Sequence, residues 1–305
     1  MLPRQKSVLE FWDRSGKLIM NNKEYRDFTH ELFLLLLKSD IKNGDLTSDA
    51  IIKNGKSISA VIVAKEEGIL AGSEEFKSLN SGLKLKFLKK DGDRIKNKEI
   101  IAEISGNAIK ILERERTNLN LLQRMSGIAT LVDSLNKKIR SKVKIAATRK
   151  TLWGLLDKKA VSIGHGLTHR LSLSDCIIIK DNHLKIAGYD FDKAISSARM
   201  KSRYVEIEVE SEGQALKAAA AIKDATNKHN KNLFALMLDK ISPDGIIRII
   251  SELKRKDLYD YVLLEASGNI NSKNIMEYAN CGVDVISAGF ITNSAKVLDM
   301  SQEII

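Results

Sequence analysis

The segment from Ala147 to Leu184 concentrates charged side chains around one short apolar run. The run, Cys176 to Ile179, has the length and the β-branched content that are typical of a buried parallel strand. The charged and titratable residues of the segment are Arg149, Lys150, His169, Arg170, Lys180, Asp181 and His183. Charged side chains at the carboxyl end of a buried strand lie where α/β barrels build their active sites. The segment therefore predicts a pocket of cations that suits a substrate with several negative charges.

Short apolar runs alternate with amphipathic segments through the second half of the chain. These runs are Val143–Ala147, Cys176–Ile179, Tyr204–Val209, Leu233–Leu238, Tyr261–Leu264 and Val283–Ala288. Such alternation predicts parallel βαβ units, and hence either a barrel or a doubly wound sheet. Polar residues end or follow nearly every run, which predicts a ring of polar groups around one mouth. They include Thr148 to Lys150, Lys180 to His183, Asp239 and Lys240, Glu265 to Gly268, and Ser287 to Gly289.

Carboxylates on two consecutive runs indicate a metal site. Glu208 and Asp239 facing each other beside phosphates would hold Mg²⁺, which prefers oxygen ligands. Alternation along the strand places Glu206, Glu208 and Glu210 on one face. Which of these three glutamates points into the pocket stays open, because the period alone does not decide it.

Glycine turns after the last runs favour a phosphate site. Ser267, Gly268 and Gly289 could present backbone N–H groups to a phosphate, as barrels do after their last strands. His165 and His169 have the spacing of a helical metal pair, but the glycines on both sides of His165 indicate a loop. A zinc site is therefore not favoured.

The bulk composition is that of a globular protein. The 305 residues are 43% hydrophobic and 29% charged, and neither a membrane span nor a signal peptide is evident. The two cysteines lie in apolar contexts and predict buried thiols in a reducing cytoplasm. The net charge of +11 raises the question of nucleic acid, yet the lysines are spread along the chain and aromatic residues are only 5%. A solvated basic surface is favoured over a nucleic-acid interface.

The first part of the chain predicts a helix followed by a small β-rich unit of hairpins. Helical spacing appears over Glu24–Leu37, and strand patterns appear over Ser57–Gly72, Leu83–Leu88 and Ile100–Ile104. These hairpins resemble a lipoyl-type sandwich, but the Met-Lys-Met attachment turn is lacking. A long helix is predicted from Ala108 to Ser126, with Gly127 as its terminator.

Several motifs, in the same order along the chain, resemble the quinolinate phosphoribosyltransferase family (nicotinate-nucleotide pyrophosphorylase, carboxylating). They are Gly44 to Thr47, Gly68 to Gly72, Glu115 to Thr117, Leu122 to Thr130, Thr148 to Thr151, His169-Arg170, Lys180 to His183, Leu238-Asp239 and Glu265 to Gly268. The resemblance implies an N-terminal open-faced α/β sandwich, residues 1–126, and an incomplete seven-stranded α/β barrel, residues 127–290. Residues 291–305 are expected to pack back on the first domain.

The resemblance also implies an activity. Such a pentosyltransferase moves the phosphoribosyl group of phosphoribosyl pyrophosphate to quinolinate and releases CO₂ and pyrophosphate, which yields nicotinate mononucleotide for de novo NAD biosynthesis. Mg²⁺ accompanies phosphoribosyl pyrophosphate, and no organic cofactor is expected. The family is built on a homodimer, which could assemble further to a hexamer, and a cytoplasmic location is expected.

Roles are carried over from the family by motif. Arg116 would reach the active site of the partner subunit, while Arg149, His169, Arg170 and Lys180 would surround the two quinolinate carboxylates. Lys150 would contact pyrophosphate. Glu208 and Asp239 would hold the magnesium complex, and Ser267, Gly268 and Gly289 would lie at the 5′-phosphate. Ser287 is also expected to bind substrate. Lys150, Lys180, Glu208 and Asp239 are the residues expected to be catalytic.

The chain departs from the family pattern at a few positions. They are His165 within Gly164 to Gly166, Trp153 within Leu152 to Gly154, Lys240, and Asn293 in place of a histidine. Lys240 adds a cation near the pyrophosphate or only a surface charge. Alternatives are a phosphoribosyltransferase of the same fold with another acceptor, the molybdenum-associated ModD-like paralogue, and a basic nucleic-acid-binding protein without activity. Lys180 and Asp181 favour the biosynthetic enzyme over the paralogue.

Overall fold

The computed structural model describes residues 4–53, 55–139, 142–226 and 232–305. The helices are α1 (Arg4–Trp12), α2 (Lys23–Ile41), α3 (Leu46–Ile51), α4 (Ser73–Leu79), α5 (Ala108–Lys138), α6 (Leu155–Ile163), α7 (Asp181–Ile186), α8 (Phe191–Arg199), α9 (Glu212–Ala225), α10 (Pro243–Arg255), α11 (Ile275–Ala279) and α12 (Phe290–Asn293). The strands are β1 (Ser57–Ala64), β2 (Gly68–Ile69), β3 (Lys84–Phe87), β4 (Arg94–Ile95), β5 (Ile100–Asn107), β6 (Lys144–Ala146), β7 (Ile177–Ile179), β8 (Tyr204–Val209), β9 (Leu233–Asp239), β10 (Leu263–Ser267), β11 (Val285–Ser287) and β12 (Met300–Ile304). Short 3₁₀ turns occupy Ser15–Lys17 and Tyr259–Tyr261.

These elements form two compact units. The parallel-sheet unit comprises the described residues of Met1–Arg14, Asn136–Lys150 and Leu167–Phe290. The antiparallel-sheet unit comprises those of Ser15–Leu135, Thr151–Gly166 and Ile291–Ile305. The domain boundaries expected after residues 126 and 290 stay a prediction.

A six-stranded parallel sheet with the order β6-β11-β10-β9-β8-β7 forms the first unit. Each strand coincides with, or overlaps, one of the predicted apolar runs, because a parallel strand covered on both faces needs apolar side chains on both. A parallel bridge between Ala146 and Leu167 adds a seventh position beyond β6. Within the described chain no ladder joins Leu167 to β7, so the sheet is not closed. The predicted incomplete barrel is confirmed.

Strand register places alternate residues on one inner face of this sheet. Toward the amino ends of the strands the inner face is apolar, and α1 packs Val8, Phe11 and Trp12 against it. The sheet residues of this layer are Ala146, Leu167, Cys176, Ile178, Ala235, Met237, Leu263 and Val285. Helix α1 thus fills the space under the polar residues that occupy the opposite ends of the strands.

The antiparallel-sheet unit is built on a four-stranded sheet with the order β12-β1-β5-β3. The central strand β1 pairs Ala60 with Ile304 on one side and with Ile104 on the other, so the C-terminal strand completes the sheet. Helices α2, α4 and α5 contribute buried side chains to this unit, among them Tyr25, Phe76 and Leu122. The strands predicted over Leu83–Leu88 and Ile100–Ile104 are confirmed as β3 and β5.

The predicted end of the long helix at Gly127 is wrong. Helix α5 continues to Lys138 and buries Gly127 in its interior. A Cβ atom at this position would lie 2.1 Å from the backbone oxygen of Lys296. Glycine is therefore present because another backbone approaches the helix closely, which a terminator signal in the sequence does not reveal.

Among the described residues, no helix combines the length and the apolar character that a membrane crossing requires. Both cysteines are free and buried, as predicted. Burial, with the nearby Glu206 carboxylate, raises the pKa of the Cys176 thiol above its ordinary value. The Cys176 thiol is therefore protonated and unreactive at neutral pH.

Candidate active site

The polar residues predicted to form the site lie at the carboxyl ends of the parallel strands. Among the predicted site residues, only Arg116 falls outside the parallel-sheet unit. Those at or beyond the strand ends are Arg149 and Lys150 after β6, His169 and Arg170 after the Leu167 bridge, Lys180 after β7, Glu208 in β8, Asp239 in β9, Ser267 and Gly268 at β10, and Ser287 and Gly289 at β11. Parallel strands present their carboxyl ends at one edge, so these groups share one edge of the sheet.

Register and burial distinguish the three glutamates, of which Glu206 and Glu208 lie in β8 and Glu210 follows it. Glu206 pairs with Ala235 and Glu208 pairs with Met237, and both partners belong to the inner face. Glu210 follows in the same alternation but is exposed beyond the strand end. All three therefore share the inner face at different depths, with Glu206 wholly buried and Glu208 at the level of the mouth.

The two carboxylates predicted to bind metal are each held by a lysine. Lys180 Nζ donates to Glu208 Oε2 at 2.6 Å. Lys240 Nζ lies 2.9 Å from Asp239 Oδ2, and this hydrogen bond raises the pKa of Lys240. Lys240 is thus the partner of a predicted site carboxylate, although its side chain is more than half exposed. Its role toward pyrophosphate stays a prediction.

Glu208 and Asp239 fit a magnesium ion by the chemistry of their donors. Both offer hard carboxylate oxygens, and their strands β8 and β9 are neighbours in the sheet. Because Glu208 pairs with Met237, and Asp239 is two residues further along the same strand, both carboxylates extend from the inner face.

Arginines form the cationic side of the site. Arg149 is exposed, whereas Arg170 is buried. Burial lowers the pKa of Arg170, and the neighbouring charge of Arg149 lowers it further. The Nε atom of Arg170 is buried and has no hydrogen-bond partner among the described residues. Two close like charges with an unsatisfied donor favour the binding of an anion.

A buried network lies one layer below the mouth. His169 Nε2 lies 3.0 Å from Glu265 Oε2 and 3.5 Å from Glu206 Oε2, and the carboxylates are fully buried. Burial and the charge of Glu265 raise the pKa of Glu206 well above its ordinary value. Burial also acts to raise the pKa of Glu265, but His169 and Ser287 outweigh it and lower that pKa.

Sequence reasoning left Glu206 open among three glutamates and placed Glu265 in the polar ring, but it did not predict their buried network with His169. The available signal was a carboxylate in the middle of an apolar strand, where a charge costs free energy unless it is paired. One ligand atom from each of His169, Glu206 and Glu265 lies within 4.8 Å of the others, so these residues could also hold a metal ion.

Two serines join this network to the predicted phosphate end. Ser287 Oγ donates to Glu265 Oε1 at 2.5 Å and lies 3.0 Å from Ser267 Oγ. Gly268 follows with a φ of 81°, in the left-handed region. A Cβ atom there would lie 2.5 Å from Asp239 Oδ1, so glycine permits the close approach of the carboxylate.

The end of α1 and the residues just after it support the loop that carries His169. The sequence carried no signal for this support. The carbonyl oxygen of Trp12 accepts from His169 N at 2.8 Å. Thr168 Oγ1 accepts from Arg14 N at 2.7 Å, and Arg14 Nε donates to Asp175 Oδ1 at 3.1 Å. These bonds hold both ends of the loop, because Asp175 also accepts from Leu171 N.

Arg116 lies on α5 in the antiparallel-sheet unit, where its side chain is exposed. It lines a cavity of ≈ 200 Å³ together with Leu36, Asp40 and Asn120. An exposed arginine that lines a cavity can bind an anionic group.

The structure describes the surroundings of Trp153, His165 and Asn293, three of the positions that depart from the family pattern. Asp157 Oδ2 accepts from the backbone N–H groups of Leu152 and Trp153, and a paired Arg124 holds Asp157 at 2.7 Å. His165 is exposed and has a φ of 66° just after α6. Asn293 is exposed and accepts from Ser294 Oγ at 2.7 Å.

Comparison with known proteins agrees with this architecture. The family model described as quinolinate phosphoribosyl transferase, N-terminal domain, matches residues 45–126, and that of the C-terminal domain matches residues 128–303. The chain is 41% identical to a probable nicotinate-nucleotide pyrophosphorylase (carboxylating) of Methanothermobacter thermautotrophicus, over 88% of this chain and 96% of that protein. It is 37% identical to the Bacillus subtilis protein of the same description, over 93% and 95% of the two chains.

Solved structures give the same result. The nicotinate-nucleotide pyrophosphorylase from Francisella tularensis superposes with a TM-score of 0.79 at 32% identity, over 92% of this chain and 96% of that chain. A human nicotinic acid phosphoribosyltransferase, with a TM-score of 0.52 and 10% identity, shares the fold alone. With both family domains matched in order and close relatives matched over nearly their full length, the chain belongs to the quinolinate phosphoribosyltransferase family.

Proposed function

We propose that the protein transfers the phosphoribosyl group of phosphoribosyl pyrophosphate to quinolinate, with loss of CO₂, and so forms nicotinate mononucleotide and pyrophosphate. The observation that carries this proposal is the arrangement of cations and carboxylates at one edge of the parallel sheet. Arg149 lies close enough to Arg170 for its charge to lower the pKa of Arg170. Lys180 bridges to Glu208 on the next strand. Family membership supports the same activity.

The cations suit the acceptor. Quinolinate carries two adjacent carboxylates, and guanidinium groups bind carboxylates through paired hydrogen bonds. Arg149 and Arg170 bind these carboxylates, and Lys180 adds a point charge. Binding orients the ring nitrogen toward C1 of the ribose, and orientation of the two reactants supplies much of the rate enhancement in such a reaction.

The nitrogen lone pair forms a bond to C1 while the bond from C1 to the pyrophosphate oxygen breaks, and its electron pair leaves with pyrophosphate. Positive charge develops on the ribose, and the carboxylates Glu208 and Asp239 favour it. Lys150 binds the leaving pyrophosphate. The bond between ring carbon 2 and its carboxylate then breaks, CO₂ leaves, and the carbon takes a proton from water. The quaternary nitrogen accepts the electron density, so no organic cofactor is needed.

Glu208 and Asp239 would hold the magnesium complex of phosphoribosyl pyrophosphate, because their oxygens suit this ion. When bound, Mg²⁺ supplies positive charge that offsets the charge of the pyrophosphate. Ser267, Gly268 and Gly289 are assigned to the 5′-phosphate. Of these, Gly268 lies in a left-handed turn beside Asp239 and Lys240, which only glycine accommodates without strain.

A homodimer completes the site in this proposal, with Arg116 of one subunit reaching the other. Exposed apolar side chains on the same unit support a subunit interface. They are Leu34, Leu35, Leu46 and Ile51. Further assembly to a hexamer and the cytoplasmic location stay predictions.

The test is an assay of the purified protein with quinolinate and phosphoribosyl pyrophosphate in the presence of Mg²⁺. We expect nicotinate mononucleotide and one CO₂ for each pyrophosphate, measured by chromatography and by release of label from the 2-carboxylate. Lys180→Met should lower kcat/KM about a hundredfold, because it removes a cation from the pocket. Lys185→Met is the matched control, since that lysine is exposed and pairs with Asp181 on the surface of α7. Turnover of nicotinate but not quinolinate would refute the proposal and favour another acceptor.

A further inference from the structure

Both ring nitrogens of His169 are used within the protein. Nδ1 accepts from the backbone N–H of Arg170 at 2.8 Å. A neutral ring therefore carries its proton on Nε2, which lies 3.0 Å from Glu265 Oε2 and donates to it. The side chain of His169 is only 6% exposed, and the carboxyl group of Glu265 is fully buried. This ring has no nitrogen left for a substrate.

Arg170, whose backbone N–H donates to the His169 ring, has an unused side-chain donor. Arg170 is fixed at its backbone N–H by the ring and at one terminal nitrogen by the carbonyl oxygen of Cys176, 3.1 Å away. Its Nε remains buried without a partner among the described residues. A side chain held at both ends, with an unsatisfied cationic donor, is preorganised for an anion.

The backbone of His169 is held as firmly as its ring. Its φ of 55° lies in the left-handed region, which costs free energy for a residue other than glycine. The bond from His169 N to the carbonyl oxygen of Trp12 and the bond from its ring to Glu265 stabilise this conformation. Such strain persists only where surrounding contacts over-determine the geometry, as they do here.

We propose that His169 is a positioning residue and not a ligand of the acceptor. Glu265 holds the imidazole, and the imidazole holds the main chain of Arg170 so that the guanidinium meets a carboxylate of quinolinate. This inference rests on the proposed function for the identity of the acceptor. It replaces the direct contact between His169 and quinolinate that the family resemblance implied.

Two substitutions of His169 test whether its Nδ1 atom positions Arg170. In His169→Asn the amide oxygen can reach the Nδ1 position and still accept from Arg170 N–H, whereas His169→Ala leaves that donor without a partner. We expect His169→Ala to raise the KM for quinolinate about tenfold or more, and His169→Asn to recover most of this loss. The KM for phosphoribosyl pyrophosphate should change less than about twofold in both, since other residues bind it. Equal KM values for quinolinate in the two variants would overturn the proposal.

A spectroscopic measurement tests the wild-type protein, so it does not depend on how the variants fold. The protein has five histidines, and ¹⁵N labelling with His169→Asn as the assignment reference isolates the His169 signals. We expect the tautomer with the proton on Nε2, and ring shifts that do not change when quinolinate is added alone. A new bond at either ring nitrogen on addition of quinolinate would overturn the proposal, and so would a stoichiometric metal ion bound to Nε2. If the wild-type protein fails to turn over quinolinate, the proposed function fails, while the tautomer of the ligand-free protein still tests the geometry.

Discussion

Replacing Glu75 by glutamine should stabilise the protein at alkaline pH and have little effect in acid. Glu75 lies on α4 and is completely buried. Its Oε1 accepts from Tyr25 Oη at 2.7 Å, while Oε2 has no partner among the described residues. Burial, together with the charge of Asp91, raises its pKa from 4.5 to about 7, although Lys159 on α6 acts in the opposite direction.

The direction and the size of the expected change in stability follow from this pKa. The folded protein keeps the proton of Glu75 up to a pH of about 7, whereas the unfolded chain loses it near 4.5. The contribution of the neutral acid to stability is therefore complete below pH 4.5 and is lost as the pH rises through 7. A difference of about 2.5 pH units corresponds to roughly 3 kcal/mol between the two limits. Glutamine keeps the acceptor for Tyr25 and carries no charge, so Glu75→Gln avoids this loss.

The assay is the thermal or urea midpoint of both proteins at pH 5, 6, 7 and 8. The difference between Glu75→Gln and wild type should grow across this range and level off above pH 7. Glu74→Gln is the matched control, because the neighbouring Glu74 is about half exposed and lies 3.5 Å from Lys159. A stability difference that is the same at pH 5 and pH 8 would refute the assignment of a neutral Glu75.

Three further predictions concern two glycines and the site that we propose is shared between subunits. Gly127→Ala should lower the free energy of unfolding by roughly 2 kcal/mol or more, because its Cβ would lie 2.1 Å from the Lys296 backbone oxygen; an unchanged urea midpoint would contradict this. Gly268→Ala should raise the KM for phosphoribosyl pyrophosphate about tenfold, because an alanine side chain forces the turn to shift. Initial rates at varied phosphoribosyl pyrophosphate concentration measure this KM. An unaltered KM would show that Gly268 does not bind the 5′-phosphate. Arg116→Ala and Lys150→Ala proteins, each inactive alone, should regain part of the activity when their subunits are mixed. Heterodimers without recovered activity would count against a site shared between subunits.

Local sequence patterns were enough to find the strands and the edge of the sheet that carries the site. Short β-branched runs such as Cys176–Ile179 and Tyr204–Val209 became strands, because burial on both faces requires apolar side chains. The polar residues after these runs then had to share one edge, since parallel strands end together. For this reason the sequence places Lys180 and Glu208 at the same edge, where their side chains meet at 2.6 Å.

Contacts between distant parts of the chain were not predictable in this way. Gly127 carries the signal of a helix end, yet it lies inside α5, where the lack of a side chain lets the backbone at Lys296 approach closely. Likewise, no local pattern indicates that Trp12 supports the loop of His169, which is far away in sequence. Such contacts depend on which elements meet in three dimensions, and that choice is not encoded in any short window of residues.

Glu206, Glu208 and Glu210, in and just after β8, show what the sequence determines and what the tertiary structure adds. The sequence by itself determined that Glu206, Glu208 and Glu210 share a face, because side chains along a strand alternate with a period of two. Only the tertiary structure decided that Glu206 is buried beside Glu265, that Glu208 lies at the mouth and that Glu210 is exposed. Depth along a strand depends on the register with its neighbours and on what fills the space beneath, here helix α1, and neither is a property of the strand alone.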